Sequence, residues 1–231
     1  MSILQDLPNI ITAVAGMGTA AFGLVDSTKV FWGGVNRIGF PQIEKLIGDL
    51  TPGTQVNALG QSKIIDTLRA NWYNGQDLTQ QKAVAKSLIK LGLNVTNAAA
   101  VAKATGVDET TLQSAVSKMA AGTSLAPIES DVYARFDVIV TAMLDRVYQD
   151  SDQKYTNGTR VTAGIFAVLL AFAGGWIANG GAFHAYAHSG DLWRALLAGV
   201  LATPLAPVAK DLTSALSTAV NTMQSVKKAI Q

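Results

Sequence analysis

The stretch from Val161 to Phe183, VTAGIFAVLLAFAGGWIANGGAF, decides the fold, and it contains no Lys, Arg, Asp, Glu or His. Because a helix rises about 1.5 Å per residue, its most apolar part, Val161 to Ala178, spans most of a hydrocarbon core of about 30 Å. A polar turn follows at residues 184–191, and a second apolar run, ALLAGVLATPLAPVA, occupies residues 195–209. The pattern predicts a helical hairpin that enters a membrane and returns. The alternative is a hairpin buried in a soluble core.

A third apolar stretch, LPNIITAVAGMGTAAFGLV, lies near the start of the chain at residues 7–25. It follows Asp6 and no basic residue, which is unlike a secretory signal, and it predicts a further membrane helix. Gly16, Ala20 and Gly23 recur at helical spacing within it. Small residues let a second helix approach closely in lipid, so we expect these three positions at an oligomer interface.

The composition agrees with a membrane protein. Hydrophobic residues make up 49% of the chain and charged residues 15%, against about a quarter in ordinary soluble domains. Cysteine is absent, which excludes disulfides and thiolate sites, and the net charge of +2 is too small to indicate nucleic acid. We therefore expect membrane lipids as partners, no nucleic acid and no cofactor.

Helical periodicity and Gly or Pro breaks predict an all-α integral membrane protein with about three transmembrane helices and a helical cytoplasmic region. Its helices are expected near residues 41–50, 58–73, 78–92, 96–105 and 109–121. The predicted parts are an N-terminal membrane helix with an interfacial segment at 1–40, the helical cytoplasmic region at 41–128, an amphipathic helix leading to the membrane at 129–160, the transmembrane hairpin at 161–210 and a C-terminal amphipathic helix at 211–231.

The amphipathic helix has an apolar stripe that includes Phe136 and Met143. We expect the small region at 41–126 to leave part of this stripe uncovered, so that both residues join the oligomer interface. Asn157-Gly158 either ends this helix or lies inside a helix that continues into the membrane. The sequence leaves both possibilities open.

Charge predicts the topology. Most of the lysines and arginines lie at residues 26–160, whereas the loop at 179–191 has none. The positive-inside rule therefore puts residues 26–160 and the C-terminus in the cytoplasm, and the N-terminus outside. Together with the lack of a recognisable targeting segment, this favours a bacterial inner (cytoplasmic) membrane.

Two groups of side chains are candidate sites. His184 and His188 have the i, i+4 spacing of metal ligands, although the Glu of a His-Glu-x-x-His site is missing and an interfacial aromatic belt is the alternative. Lys82, Lys86 and Lys90 form a basic line suited to lipid headgroups or an acidic partner, and an ordinary solvated face is the alternative.

Residues 98–116 have the spacing of a helix-turn-helix. The second helix begins with Asp108-Glu109, however, whereas contact with phosphates needs positive charge. A structural αα-hairpin is therefore favoured over DNA binding.

These patterns favour a non-enzymatic, homo-oligomeric membrane protein that forms an assembly or scaffold. One alternative is a channel subunit, in which Gly174-Gly175, Gly180-Gly181 and the Pro204/Pro207 pair line or gate a pore. A second alternative is metal or cofactor binding on the outer face at His184 and His188. The apolar stretches contain no carboxylate or lysine for an ion relay, which weighs against a pump.

Overall fold

The computed structural model describes residues 3–30, 33–53 and 60–205, of which residues 3–9 are described by their backbone alone. Every regular element in these ranges is a helix, which confirms the all-α class for this part of the chain. The chain forms two compact units, divided before Asn36 and after Thr156. We call residues 36–156 the helical bundle, and the described residues on either side of it the apolar unit. The predicted C-terminal helix at 211–231 lies outside the described residues.

The helical bundle contains five complete helices and the first part of a sixth. They are α2 (Phe40–Leu50), α3 (Gln61–Tyr73), α4 (Leu78–Gly92), α5 (Ala98–Thr105), α6 (Glu109–Ala120) and the start of α7 (Pro127–Ala178). A short 3₁₀ turn, Gly34–Arg37, leads into it. The five helices predicted between residues 41 and 121 are all present, with ends shifted by at most three residues.

Local capping explains several of these ends. Asp77 Oδ1 accepts hydrogen bonds from the backbone N–H groups of Thr79 at 2.8 Å and Gln80 at 3.2 Å, so it satisfies two donors at the start of α4. The bonds from Gln80 and Thr79 lower the pKa of Asp77. Helix α5 ends at Gly106, whose φ of 70° is favourable for glycine.

Helices α5 and α6 are joined by a short turn at residues 106–108 and pack against each other. Their apolar residues Ala102 and Leu112 are fully buried in the core of the bundle. The core also contains Ile47, Leu68 and Ile89 from the three preceding helices. The apolar stripe of α7 completes this core with Phe136, Val140, Leu144 and Tyr148.

The apolar unit contains α1 (Ile3–Thr28), the later part of α7, α8 (Phe183–Ala187) and α9, which comprises residues 190–205. Asn157-Gly158 does not end α7, since the helix continues to Ala178. Thr162 Oγ1 donates to the Gly158 carbonyl at 2.8 Å, which adds a side-chain bond at this point. Gly180 and Gly181, with φ of 72° and 76°, form the turn that follows α7.

Two helices are long and apolar enough to cross a membrane, judged by length and composition: Ile10–Thr28 within α1, and α7. They correspond to the first and second predicted spans. Residues 195–205 of the third predicted span are helical, and its residues 206–209 lie outside the described part of the chain.

Candidate functional site: the faces of the apolar helices

The inward face of α1 packs through small side chains. Ala21 is fully buried in a cluster with Ala167 of α7 and Ala202 of α9, and Val14 and Met17 lie partly buried against this cluster. Alanine side chains keep helix backbones close together, which is the way helices associate where no hydrophobic drive exists between them. This face of α1 is therefore occupied within the chain.

Helices α7 and α9 approach even more closely at Gly199. A Cβ atom on Gly199 would lie 2.7 Å from the Val168 Cα and 3.1 Å from the Ala167 carbonyl oxygen. Only glycine fits against the α7 backbone here. The sequence reading did not identify this residue, although Ala195, Gly199 and Thr203 repeat at intervals of four and gave the same signal as Gly16 and Ala20.

The outward face of α1 is also built from small residues, but it is exposed. Ala13, Gly16, Ala20 and Gly23 lie on the side of the helix opposite to Ala21, and all four are exposed. Among the described residues, no other group lies within 4 Å of the position that a Cβ would take on Gly16 or Gly23. The predicted interface residues Gly16, Ala20 and Gly23 are thus brought together on one accessible face.

The exposed faces of α7 and α9 carry large apolar side chains instead. These residues are Val161, Ile165, Leu169, Trp176 and Ile177 on α7, and Trp193, Leu197, Val200 and Leu201 on α9. Bulky apolar side chains of this kind are suited to contact with lipid tails, whereas small residues are enriched where membrane helices meet. Helix α1 differs by its run of small exposed residues, and it also exposes Ile10, Ile11 and Leu24.

The turn after α7 holds the two histidines. Both His184 and His188 are exposed, and the His188 Nδ1–H donates to the His184 carbonyl at 2.9 Å. That bond orients one ring through the backbone of the other residue. No group of three or more metal-binding side chains occurs among the described residues.

The glycines of the channel alternative differ in their surroundings. Gly175 is covered by Tyr186, because a Cβ on Gly175 would collide with the Tyr186 hydroxyl. Tyr186 is fully buried, and its ring meets that of Phe172 edge-on with centroids 5.6 Å apart. Gly174 lies in open space. Gly175 thus provides room for a packed tyrosine.

The predicted basic line is paired within the bundle. Lys82 Nζ donates to Asp145 at 2.6 Å, Lys86 Nζ to Asp137 at 2.6 Å, and Lys90 Nζ to Asp137 at 3.0 Å. We call these residues the α4–α7 ladder. The hydrogen bond from Lys86, followed by that from Lys90, lowers the pKa of Asp137. The bond to Asp137 raises the pKa of Lys90. The three lysines therefore hold two helices together.

Phe136 and Met143 require a correction to the interface expected from the sequence. Phe136 is fully buried in the bundle core, and Met143 packs partly buried against that core. Phe136 is enclosed by α2 to α6 and is not available for an interface, whereas Met143 stays partly exposed. The three expected interface residues on α1 are exposed.

Comparison with protein families, curated proteins and solved structures gives no match to this chain.

Proposed function

We propose that this protein is a non-enzymatic membrane scaffold, in which several copies form a closed assembly through the outward face of α1. In this proposal α1, the apolar part of α7 and the α9 segment are three membrane spans. Residues 26–160 and the C-terminus are cytoplasmic, and the N-terminus is outside, as the positive-inside rule favours.

Low burial of the apolar helices supports a membrane location. Only 28% of the most apolar window of α1 and 17% of that of α7 is buried within the chain. A core helix of a soluble protein would bury most of such a window, since exposed apolar surface in water is limited to small patches. The soluble buried hairpin is therefore the weaker interpretation.

The contrast between the small exposed residues of α1 and the large ones of α7 and α9 carries the proposal of an oligomer. If α1 faced lipid on its outward side, large apolar residues like Ile165 and Leu169 of α7 would serve there as well. Instead that side has Gly16, Ala20 and Gly23, which leave the backbone accessible to another helix. Close approach increases dispersion contact between helices. A second copy of α1 is the partner that such a face fits, and point-group symmetry would close the contacts.

The test is native mass spectrometry in mild detergent of the wild type and of Gly16→Leu/Ala20→Leu. The wild type should show one defined multiple of the chain mass, and the variant should move toward monomer because leucines separate the backbones. Gly174→Leu/Ala178→Leu is the matched control. It makes the same change at the same spacing on exposed positions of α7 and should leave the copy number unaltered.

A wild type that is monomeric across detergents would contradict the assembly. An unchanged copy number in Gly16→Leu/Ala20→Leu would show that another face makes the contact. Particle images of the assembly separate scaffold from channel, since a water-filled axis through the ring would favour the channel alternative.

A further inference from the structure

A groove of about 420 Å³ lies on the apolar unit between α7 and α9, a volume in the range of small-ligand pockets. Its lining is almost wholly apolar. The lining residues are Arg160, Val161, Gly164, Ile165, Val168, Leu169, Val200 and Thr203. Ile165, Leu169 and Val200 are each more than half exposed, so the groove opens to the outside of the chain.

Glycine at position 164 keeps the groove open. A Cβ there would lie 3.6 Å from Thr203 Oγ1, which is ordinary contact, so α7 and α9 tolerate a small side chain at this position. A larger side chain would extend into the groove, because Gly164 is itself part of its lining. The space therefore depends on a small residue at position 164.

Arg160 supplies the cationic end of the groove. It is exposed, directly precedes the apolar run of α7, and makes no ion pair with a carboxylate of the described residues. An arginine at the edge of a membrane span binds phosphate oxygens in a planar, bidentate way. None of the described lining residues is acidic, and Arg160 gives them a net positive charge.

We propose that this groove binds an anionic phospholipid, with one acyl chain along Val161, Ile165 and Val200 and the phosphate at Arg160. The proposal rests on the proposed membrane location, and it names the lipid class with which α7 and α9 interact. The apolar lining fits a hydrocarbon chain, and the guanidinium favours a headgroup with net negative charge over a zwitterionic one. The outward face of α1 stays available for the second copy.

The experiment is native mass spectrometry of delipidated protein with equal amounts of dioleoyl phosphatidylglycerol and dioleoyl phosphatidylcholine. The wild type should retain phosphatidylglycerol preferentially. Arg160→Gln should lower that preference by about tenfold, the effect of losing one charge-assisted bond. Lys154→Gln is the matched control, since it removes one exposed positive charge from the same helix outside the groove, and it should keep the preference.

Two further variants test the acyl-chain part. Gly164→Leu fills the groove and should reduce retention of both lipids, whereas Gly174→Leu, at an open position of α7, should not. Ile165→Gln makes the lining polar without adding bulk beside α9, and it should reduce retention of both lipids as well. Circular dichroism of each variant checks that the helical content is maintained.

The outcomes separate the lipid site from the proposed function. If Arg160→Gln and Lys154→Gln reduce the preference for phosphatidylglycerol equally, diffuse surface charge explains the preference and the proposed lipid site is wrong. Unchanged retention of both lipids by Gly164→Leu and Ile165→Gln would also contradict the site. The same spectra give the copy number, so loss of the assembly is detected independently of lipid binding. Failure of the wild type to float with vesicles of either lipid would overturn the membrane location itself.

Discussion

Glu129 is buried at the start of α7, where it accepts three hydrogen bonds. Lys118 Nζ donates at 2.8 Å, Ser114 Oγ at 2.7 Å and the Ala126 backbone N–H at 2.7 Å. Because α7 begins at Pro127, the bond to Ala126 is the return half of a capping box, in which the third helical residue reaches back to the N-cap. One side chain thus ties α6 to the beginning of α7.

These bonds make the stability of the bundle depend on pH. The ammonium of Lys118, followed by Ser114 and the Ala126 N–H, lowers the pKa of Glu129 from 4.5 to about 2. A carboxylate whose pKa is lower in the folded state stabilises the fold above its unfolded pKa, and this contribution is lost as the pH falls toward 2. We expect Glu129→Gln to lower the melting temperature at pH 7, and the difference from wild type to shrink between pH 4.5 and pH 2.

The measurement is a series of thermal melts followed by circular dichroism across this pH range. Asp131→Asn is the control, because it neutralises an exposed acid two residues further along the same helix turn. If the difference between wild type and Glu129→Gln is the same at every pH, the carboxylate does not act through its charge.

At the scale of elements, the α4–α7 ladder gives a two-sided prediction. Changing Lys82, Lys86 and Lys90 to Gln should destabilise the bundle by about 1–2 kcal/mol in total, since partly exposed ion pairs each contribute a fraction of a kcal/mol to about 1. The side chains of these lysines are between 25% and 36% exposed, which keeps the expected loss small. The amount of phosphatidylglycerol retained by the protein should not change. Denaturant titration and native mass spectrometry with phosphatidylglycerol measure the two effects.

Asp137→Asn/Asp145→Asn is the matched partner of that variant, because it removes the same ion pairs and leaves the lysines in place. We expect a similar loss of stability from it. If the lysines bound headgroups instead, the Lys→Gln variant would retain less phosphatidylglycerol and the Asp→Asn variant would retain more. Pairing with Asp137 and Asp145 would then not be the main role of these lysines.

Local sequence patterns predicted where the helices begin and end better than they predicted which residues contact one another. The start of α4 follows from Asp77, whose capping role depends on the next three residues alone. The lysine line could not be paired from the sequence, because its acceptors Asp137 and Asp145 lie 47 to 63 residues away. The burial of Phe136 was not predicted for the same reason. The residues that cover Phe136 come from helices whose packing depends on the whole bundle.

The continuity of α7 shows how a local signal can be overridden. Asn157-Gly158 commonly ends a helix, yet Gly158 is absent from the described glycines with positive φ, and α7 passes through it. Glycine inside a helix costs only about 1 kcal/mol relative to alanine. Packing of the following turns, including fully buried Ala163 and Ala167, outweighs that cost.

For the whole molecule, the topology can be tested with single cysteines, since the chain has none of its own. We expect Ala185→Cys, in the loop proposed to be outside, to react with a membrane-impermeant maleimide in intact cells. Ser62→Cys, in the bundle, should react only after lysis. Both positions are exposed within the chain, so accessibility depends on the membrane alone.

Labelling of both variants in denatured protein is the control for thiol reactivity, and the wild type should stay unlabelled throughout. Reaction of Ser62→Cys but not Ala185→Cys in intact cells would invert the proposed orientation. Reaction of both would contradict a membrane between them.

The contact of Ala21 with Ala167 and Ala202 joins residues that are made at very different times. A ribosome adds about 5–20 residues per second, so Ala202 is made roughly ten to forty seconds after Ala21. Until residues 166–170 of α7 are made, the inward face of α1, with Val14 and Met17, lacks the α7 part of this cluster. Neighbouring nascent chains can then pair through either face of α1. The hairpin of α7 and α9 later packs on the inward face. The rate of translation over residues 29–160 therefore sets how long assembly competes with folding for this helix.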